Sequence, residues 1–574
     1  MRAPISLMLV SLLTVAAGCG DDGTGTDAAV DAGPSDGGVE PVVPDDYCPG
    51  APGCADEGDG VLFVGAAAVD ITPEIGPNTD IQTVDVNGNG EFDFFDGDEF
   101  EDRNGNRVFD GVWIAGFGSG RAASGVNDRQ WVRAIALRYN QTTIALAAID
   151  CIGFFWDDVE RVRGMLGDLD VDYVAISATH THEARDTMGM WGVSEAQTGI
   201  DEGYMETVRM GAARAVREAV TNLTPTHVQY ASFSFRDMPG GTDRYVSDDR
   251  DPYILDDETK ILRFTRVDTD ATVATVINFG SHPQFIGSEN QLLSSDFPNW
   301  LREGVQSGVA GPDGTMEPGV GGIAIFFNGA VGSQIGNERL MAQTWDGTVL
   351  DKWGMETART VGAQTAYFVL NALGDGGGSV TDMTAALGFR RHSFDLTVDN
   401  TAFHVALLTP LFPTREVYNY DPELPIIPGE NQFELRTEIA IVDVGRASIM
   451  MVPGEMDPSL FVGGYDGSYT PEGVDIVDLS RENPPDLAAA PAGPYLKDLM
   501  RADAEYRLLF GLTNDEIGYF VPEYDYQLAD PRHGEGAPYI DEAPGEHYEE
   551  TVSLGPREWP EIERRLRELL AWAP

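Results

Sequence analysis

The run Tyr173-Val174-Ala175-Ile176-Ser177 is short and almost wholly apolar, and within three residues it reaches His180 and then His182. A run of this length reads as a buried strand. In an α/β enzyme the ends of such strands are where polar side chains meet solvent. The sequence therefore points to a covered sheet with chemistry at one end of it. On an extended backbone residues 180 and 182 fall on the same side, so both imidazoles are expected to face one pocket. Imidazole is the commonest metal ligand and a general acid or base near neutral pH. The chain has only eight histidines, so two of them here mark a candidate site. The plainer alternative is one hydrogen-bonded structural histidine beside an exposed one.

The same grammar recurs along the chain. Val61 to Val69, Thr272 to Phe279 and Gly322 to Phe327 are apolar or β-rich runs. Ala134 to Tyr139 and Thr143 to Ile149 flank an Asn140-Gln141 turn, and Ile439 to Val444 and Ser448 to Val452 flank Gly445-Arg446, which predicts two hairpins. Asp157 to Leu166, Glu202 to Thr221 and Trp559 to Trp572 carry helical spacing. No stretch after Val61 reads as a linker. The expected fold class is α/β or α+β, one large mixed-sheet domain spanning residues 61–574.

Charge narrows the partners. Lys and Arg number 37 against 94 Asp and Glu, a formal net charge of -57. Such a surface repels phosphate backbones, so nucleic acid is excluded as the natural partner, whereas cations are favoured. At the N-terminus Arg2 precedes the apolar run Ile5 to Val15, too short to span a bilayer and typical of a signal peptide. It ends in Ala16-Ala17-Gly18-Cys19, which resembles a bacterial lipobox. The expectation is a leader over residues 1–19, lipidation at Cys19 and an extracytoplasmic, lipid-anchored protein of the bacterial cell envelope; a cleaved, freely secreted protein is the alternative. Residues 20–60 form an acidic stalk, with Cys48 and Cys54 spaced for a small disulfide loop. Cys151, among Ile149, Ile152 and Phe154, reads as a core thiol.

An acidic insert occupies residues 85–113. Asp85-Val86-Asn87-Gly88-Asn89-Gly90-Glu91-Phe92-Asp93 is echoed by Asp102-Arg103-Asn104-Gly105-Asn106-Arg107-Val108-Phe109-Asp110. Oxygen side chains at alternating positions suit a calcium loop. In the first copy Asp85, Asn87, Asn89, Asp93 and Asp96 are the candidate structural Ca2+ ligands, with Asp96 at the closing twelfth position. The second copy has Trp113 there and Arg107 in place of the turn glycine, so calcium is expected at the first; a solvated acidic loop is the alternative.

Three later run-ends offer partners to the histidine pair: His282 after Val276 to Phe279, Glu455 after Ile449 to Val452, and Tyr519 after Asn514-Asp515-Glu516-Ile517-Gly518. Together with Val64 to Pro73, Thr179-His180-Thr181-His182, Leu293-Ser294-Ser295-Asp296, Phe327-Asn328-Gly329-Ala330-Val331-Gly332 and Pro453-Gly454-Glu455, and in this order, they resemble the neutral/alkaline ceramidase family. The resemblance implies a catalytic zinc held by His180, His282, Glu455 and Tyr519. It implies His182 and Arg244, of Thr242-Asp243-Arg244, at the substrate amide. Zinc takes such N and O ligands and lowers the pKa of bound water towards ~7. The implied reaction is cleavage of the amide (N-acyl) bond of a ceramide-like lipid through metal-activated water.

The chain departs from the family in three places. The family's serine position is Ile335 in Gly332-Ser333-Gln334-Ile335-Gly336, leaving Ser333 as the candidate hydroxyl. Glu183-Ala184-Arg185 follows the histidines where the family has Ser-Gly-Pro. No C-terminal β-sandwich is expected. Two rivals accompany the amidase reading: a surface lipoprotein that binds metal without turnover, and a hydrolase of another ester or amide whose anionic group meets Arg185.

Overall fold

The computed structural model describes residues 41–52, 54, 56–335, 339–529, 541–545 and 547–574. The expected leader, Cys19 and the first half of the stalk lie outside the described residues.

Two sheets meet face to face. The larger runs Ile323–Asn328, Thr272–Phe279, Glu258–Arg266, Thr224–Ser234, Leu62–Asp70, Trp131–Tyr139, Thr142–Ile149, Tyr173–Ala178, with Val380–Asp382 added on Thr224–Ser234. Its middle is antiparallel, but the outermost pair at each edge is parallel. The smaller runs Asp46–Cys48, Leu387–Thr397, Glu434–Val444, Ala447–Met451, Tyr506–Phe510, its last pair parallel. Both predicted hairpins form, through Asn140 at φ 53° and Gly445 at φ 55°. Val64, Leu137, Leu146 and Val276 of the large sheet interleave with Leu387, Val442, Ile449 and Phe510 of the small one in a shared core.

Helices cover both outer faces. Glu202–Thr221 starts at Asp201, whose side chain accepts from Tyr204 N at 2.8 Å. It lays Met205, Val208, Ala212, Ala215 and Ala219 on Ala67, Val69 and Val132. The approach is close because Gly65 faces the backbone of Ala219 and Asn222, where a Cβ has no room. Trp156–Met165, Phe297–Ser307 and Met355–Leu373 complete that layer. Glu558–Ala571 covers the small sheet with Ile562, Leu566 and Leu569 against Phe394, Ile439 and Ile441. The strand ends that carry His180, His282, Glu455 and Tyr519 all open at one end of this stack.

Cys48 and Cys54 are disulfide-bonded, and Cys151 is a buried free thiol whose pKa burial pushes up. The insert is built as two matched loops. Asp85 accepts from Gly88 N (2.7 Å) and Gly90 N (2.8 Å), and Asp102 from Gly105 N (2.6 Å) and Arg107 N (2.9 Å). Each loop is closed by an acid before the other's strand: Asp98 takes Val86 N and Asp93 N, while Asp80 takes Arg103 N and Asp110 N. Strands Ile81–Val84 and Glu99–Glu101 pair between them, and a bulge absorbs the one-residue difference in spacing. Arg107 adopts φ 66° where the first loop has Gly90 at 79°, so the missing glycine has not unmade the turn.

Candidate metal centre

His180 does not reach the site by strand alternation, as the sequence suggested. The strand stops at Ala178, and His180 sits at φ 68°, in the left-handed region. The turn nevertheless brings the rings together: the centroid of His180 lies 5.0 Å from that of His182 and 4.7 Å from that of His282. Nitrogens of these three histidines lie within 4.8 Å of one another, and all three rings are buried.

Glu455 completes the convergence. It stands opposite Tyr519 on a two-residue parallel ladder, Glu455–Met456 beside Tyr519–Phe520. Its Oε2 is 3.2 Å from His180 Nε2 and 2.9 Å from His282 Nε2, and Tyr519 Oη is 3.4 Å from that same His282 nitrogen. The tautomers follow from the other side of each ring. His180 Nδ1 donates to Ile152 O at 2.6 Å, and His282 Nδ1 donates to Gln334 O at 3.1 Å. Both Nε2 atoms therefore present lone pairs, and they present them to a carboxylate oxygen, Glu455 Oε2, that no well-aligned donor serves among the described residues. Among the described residues neither ring nitrogen of His182 has a well-aligned hydrogen-bond partner, the Gly116 backbone being the nearest. Buried acceptors facing one another are unfavourable unless a cation lies among them. The donor set of two imidazoles, a carboxylate and a phenol fits a divalent transition metal, with His182 beside it.

Ionisation agrees. Burial would raise the Glu455 carboxyl, but charge on and hydrogen bonds from His180 and His282 outweigh it and hold it at about 2, a pull that needs positive charge between the rings. Burial lowers His282, and burial with the neighbouring rings lowers His182 well below the ordinary imidazole range. Neutral imidazoles and an ionised carboxylate are the forms that ligate.

The supporting frame is made by residues away from the ring contacts. Asn328 ends its strand between the two histidine loops: Nδ2 donates to Thr179 O (3.1 Å) and Ser281 O (3.0 Å), and Oδ1 accepts from Ser281 N (3.1 Å). Behind His182 runs Gly116-Phe117-Gly118-Ser119-Gly120-Arg121. Gly116, at φ 103°, lies flat against the His182 ring, where a side chain would collide with it. The fully buried Arg121 donates to the carbonyls of Ala115 and His182 and pairs with Glu183 at 3.3 Å. Glu91 of the insert reaches the same loop at Gly118, so the insert braces the His182 wall. A surface hollow of about 290 Å³ lined by Gln82, Asp85 and Glu289 lies beside the insert.

Among the described residues no hydrogen bond or ion pair joins the remaining sequence candidates to the converging side chains. Arg244 is half-buried on the turn Thr242–Arg244 with its guanidinium over Gly240; among the described residues no hydrogen bond or ion pair ties it to His182. Ser333 is buried beside Asp457, next to Gly332, which donates to Met456 O at 2.9 Å. Arg185 is occupied by Asp201 at 3.1 Å and by the ring of Tyr204. Sequence reasoning missed Arg121 and Glu516. The Glu516 carboxyl is buried, its Oε2 without a hydrogen bond among the described residues, and burial plus the Glu455 charge raise its pKa far above the ordinary value. Its place in Asn514 to Tyr519 was visible; its proximity to Glu455 was not.

Neutral ceramidase from Pseudomonas aeruginosa superposes with a TM-score of 0.55 at 13% identity, over 89% of this chain and 74% of that one. This chain has the neutral ceramidase fold. A second solved structure, a ceramidase complexed with C2, gives a TM-score of 0.55 at 14% identity over the same shares of the two chains. No protein-family model matches the sequence, and no curated protein sequence does.

Proposed function

We propose that this protein is a metal-dependent hydrolase that cleaves the amide bond of an N-acylated, ceramide-like lipid. The observation that carries the reading is the meeting of His180 Nε2 and His282 Nε2 on one Glu455 oxygen, at strand ends of a neutral ceramidase fold. His180, His282, Glu455 and Tyr519 would hold the ion, which we take to be zinc. When bound, zinc polarises a carbonyl and lowers the pKa of water.

The chain's own residues supply the rest. His182, neutral and with no well-aligned hydrogen bond to either ring nitrogen among the described residues, accepts a proton from the attacking water and returns it to the leaving amine. Arg121 fixes the His182 backbone through its carbonyl and so sets the direction of the imidazole. Phe117, in edge contact with both His182 and Trp353, gives an apolar wall for an acyl or sphingoid chain. No serine stands where the family has one, so the reading assigns attack to water and no covalent acyl-enzyme. Calcium at the first insert loop belongs to the same proposal, as a brace behind the His182 wall.

The test is hydrolysis of a fluorescent N-acylsphingosine by purified protein, wild type against His282→Ala, with metal content measured on both. Turnover in the wild type, lost with the metal in the variant, is the expected result. Stoichiometric metal without turnover of any N-acyl or ester substrate would leave a metal-binding surface protein instead.

A further inference from the structure

The segment Ser247-Asp248-Asp249-Arg250-Asp251 is buried throughout, with none of its five residues more than 6% exposed. Four of the five carry charge, and burying charge is unfavourable unless each group is paired. Arg250 supplies the pairing with the C-terminal part of the chain. Its Nη1 donates to Glu550 Oε2 at 2.9 Å and to Glu549 Oε2 at 3.2 Å. Its Nη2 donates to Glu550 Oε1 at 2.8 Å and to the side chain and the carbonyl of Asp525 at 2.9 and 3.1 Å. One guanidinium thus grips two separate pieces of chain, the turn Glu523–Asp525 and the short helix Tyr548–Thr551.

Both pieces flank Tyr519. The turn follows the ladder strand Tyr519–Phe520. The helix ends against the tyrosine: Val552 O accepts from Tyr519 N at 3.3 Å, and Gly518, at φ 98°, lies so close to that carbonyl that a Cβ has no room. Tyr548 sets its ring edge-on to the Tyr519 ring, with centroids 6.1 Å apart. The other end of the clamp stands on the frame of the metal centre. Asp249 N donates to Ser333 O at 3.1 Å. Ser333 is bracketed by Gly332, pressed on the backbone of Glu455 and Met456, and by Gln334, whose carbonyl accepts from His282 Nδ1. The segment therefore joins the support of Tyr519 to the supports of Glu455 and His282.

We propose that Arg250 is the positioning residue of Tyr519: it fixes the turn and the helix on either side of the tyrosine and so sets the phenol at the metal. Arginine suits the task because its planar fork donates to several carboxylates at once, which a lysine ammonium does not match. An arginine that only fastened the C-terminal segment would change stability and leave the bond between phenol and ion unaltered. The inference rests on the reading of Tyr519 as a ligand and is independent of turnover.

The experiment loads the purified full chain with Cu2+ alone, which binds N and O donor sites more tightly than zinc does. The phenolate-to-copper charge-transfer band is recorded with copper content and far-UV circular dichroism. Wild type is expected to show the band and Tyr519→Phe to lack it. Folded Arg250→Gln is expected to keep its copper but lose about half or more of the band, and to bind zinc about tenfold more weakly. Arg209→Gln removes a buried arginine that pairs with Asp158 and Glu202 on the outer helices, and is expected to lower Tm with the band intact. If Arg250→Gln does not fold, Glu550→Gln replaces it, because the amide keeps the volume and turns one acceptor into a donor facing the guanidinium; the same loss is expected. A full band in folded Arg250→Gln, or in Glu550→Gln where that variant stands in, overturns the proposal, as does an equal loss in Arg209→Gln. Copper bound to wild type without the band shows that Tyr519 is no ligand, which removes the proposed ligand set and this inference with it.

Discussion

Glu455 and Glu516 are two buried carboxyls on neighbouring turns with opposite ionisation. The first is held ionised by imidazoles, and the second is kept neutral by burial and by the first. Replacing Glu455 with Gln is expected to strip the metal on dialysis, whereas Glu516→Gln is nearly isosteric with the neutral acid and is expected to leave metal affinity within about twofold. Metal analysis of both variants checks the pair of outcomes. Glu183 gives the pH signature. Burial raises its pKa to about 8 against the opposing pull of Arg121 and Asn290. A carboxyl raised on folding binds its proton more tightly in the native state. Its contribution is therefore complete below the ordinary value of 4.5 and is lost as pH rises through about 8. The expectation is that Glu183→Gln flattens the fall in Tm across that window relative to wild type. A parallel pair of Tm curves would show that Glu183 does not titrate there.

At the scale of elements, the centre depends on loops from three strands held in one frame. Asn328 joins the His180 and His282 loops by hydrogen bonds on both sides. Asn328→Ala is expected to weaken metal binding by about 10–100-fold, as loss of an orienting group does, while far-UV circular dichroism stays unchanged. The insert is the second such device. With Asp80 and Asp98 closing each other's loop partner, Asp98→Ala is expected to release the first loop and weaken calcium binding measured by titration calorimetry. Much at this scale was legible: the helix Glu202–Thr221 and the strand Thr272–Phe279 fall where periodicity placed them. The His180 turn was not, because a left-handed residue after a strand leaves no mark in an apolar pattern. Arg107 shows the converse, a residue that looked incompatible with a turn whose hydrogen bonds hold it there.

The whole molecule is a helix-sheet-sheet-helix stack whose two cores meet the site from opposite sides. The last helix supports the small sheet, and so Glu455 and Tyr519, only indirectly. Ile562→Ala is expected to cost about 2–5 kcal/mol of stability without changing metal affinity at temperatures where the protein stays folded. Denaturant titration and metal analysis separate these effects.

The sequence by itself determined part of the strands and helices, the acidic surface, the disulfide pair and the residue types able to hold a metal, because these follow from local periodicity and side-chain chemistry; strands such as Thr224–Ser234 and Leu387–Thr397 and the helix Met355–Leu373 emerged only in the fold. Tertiary structure alone decided that Glu455 and Tyr519 share a ladder, that Asn328 ties two histidine loops, that Arg121 backs His182, and that Arg185 is occupied by Asp201. Those relations join residues far apart in the chain. They exist only once two sheets and the five helices that cover them have fixed where each strand ends.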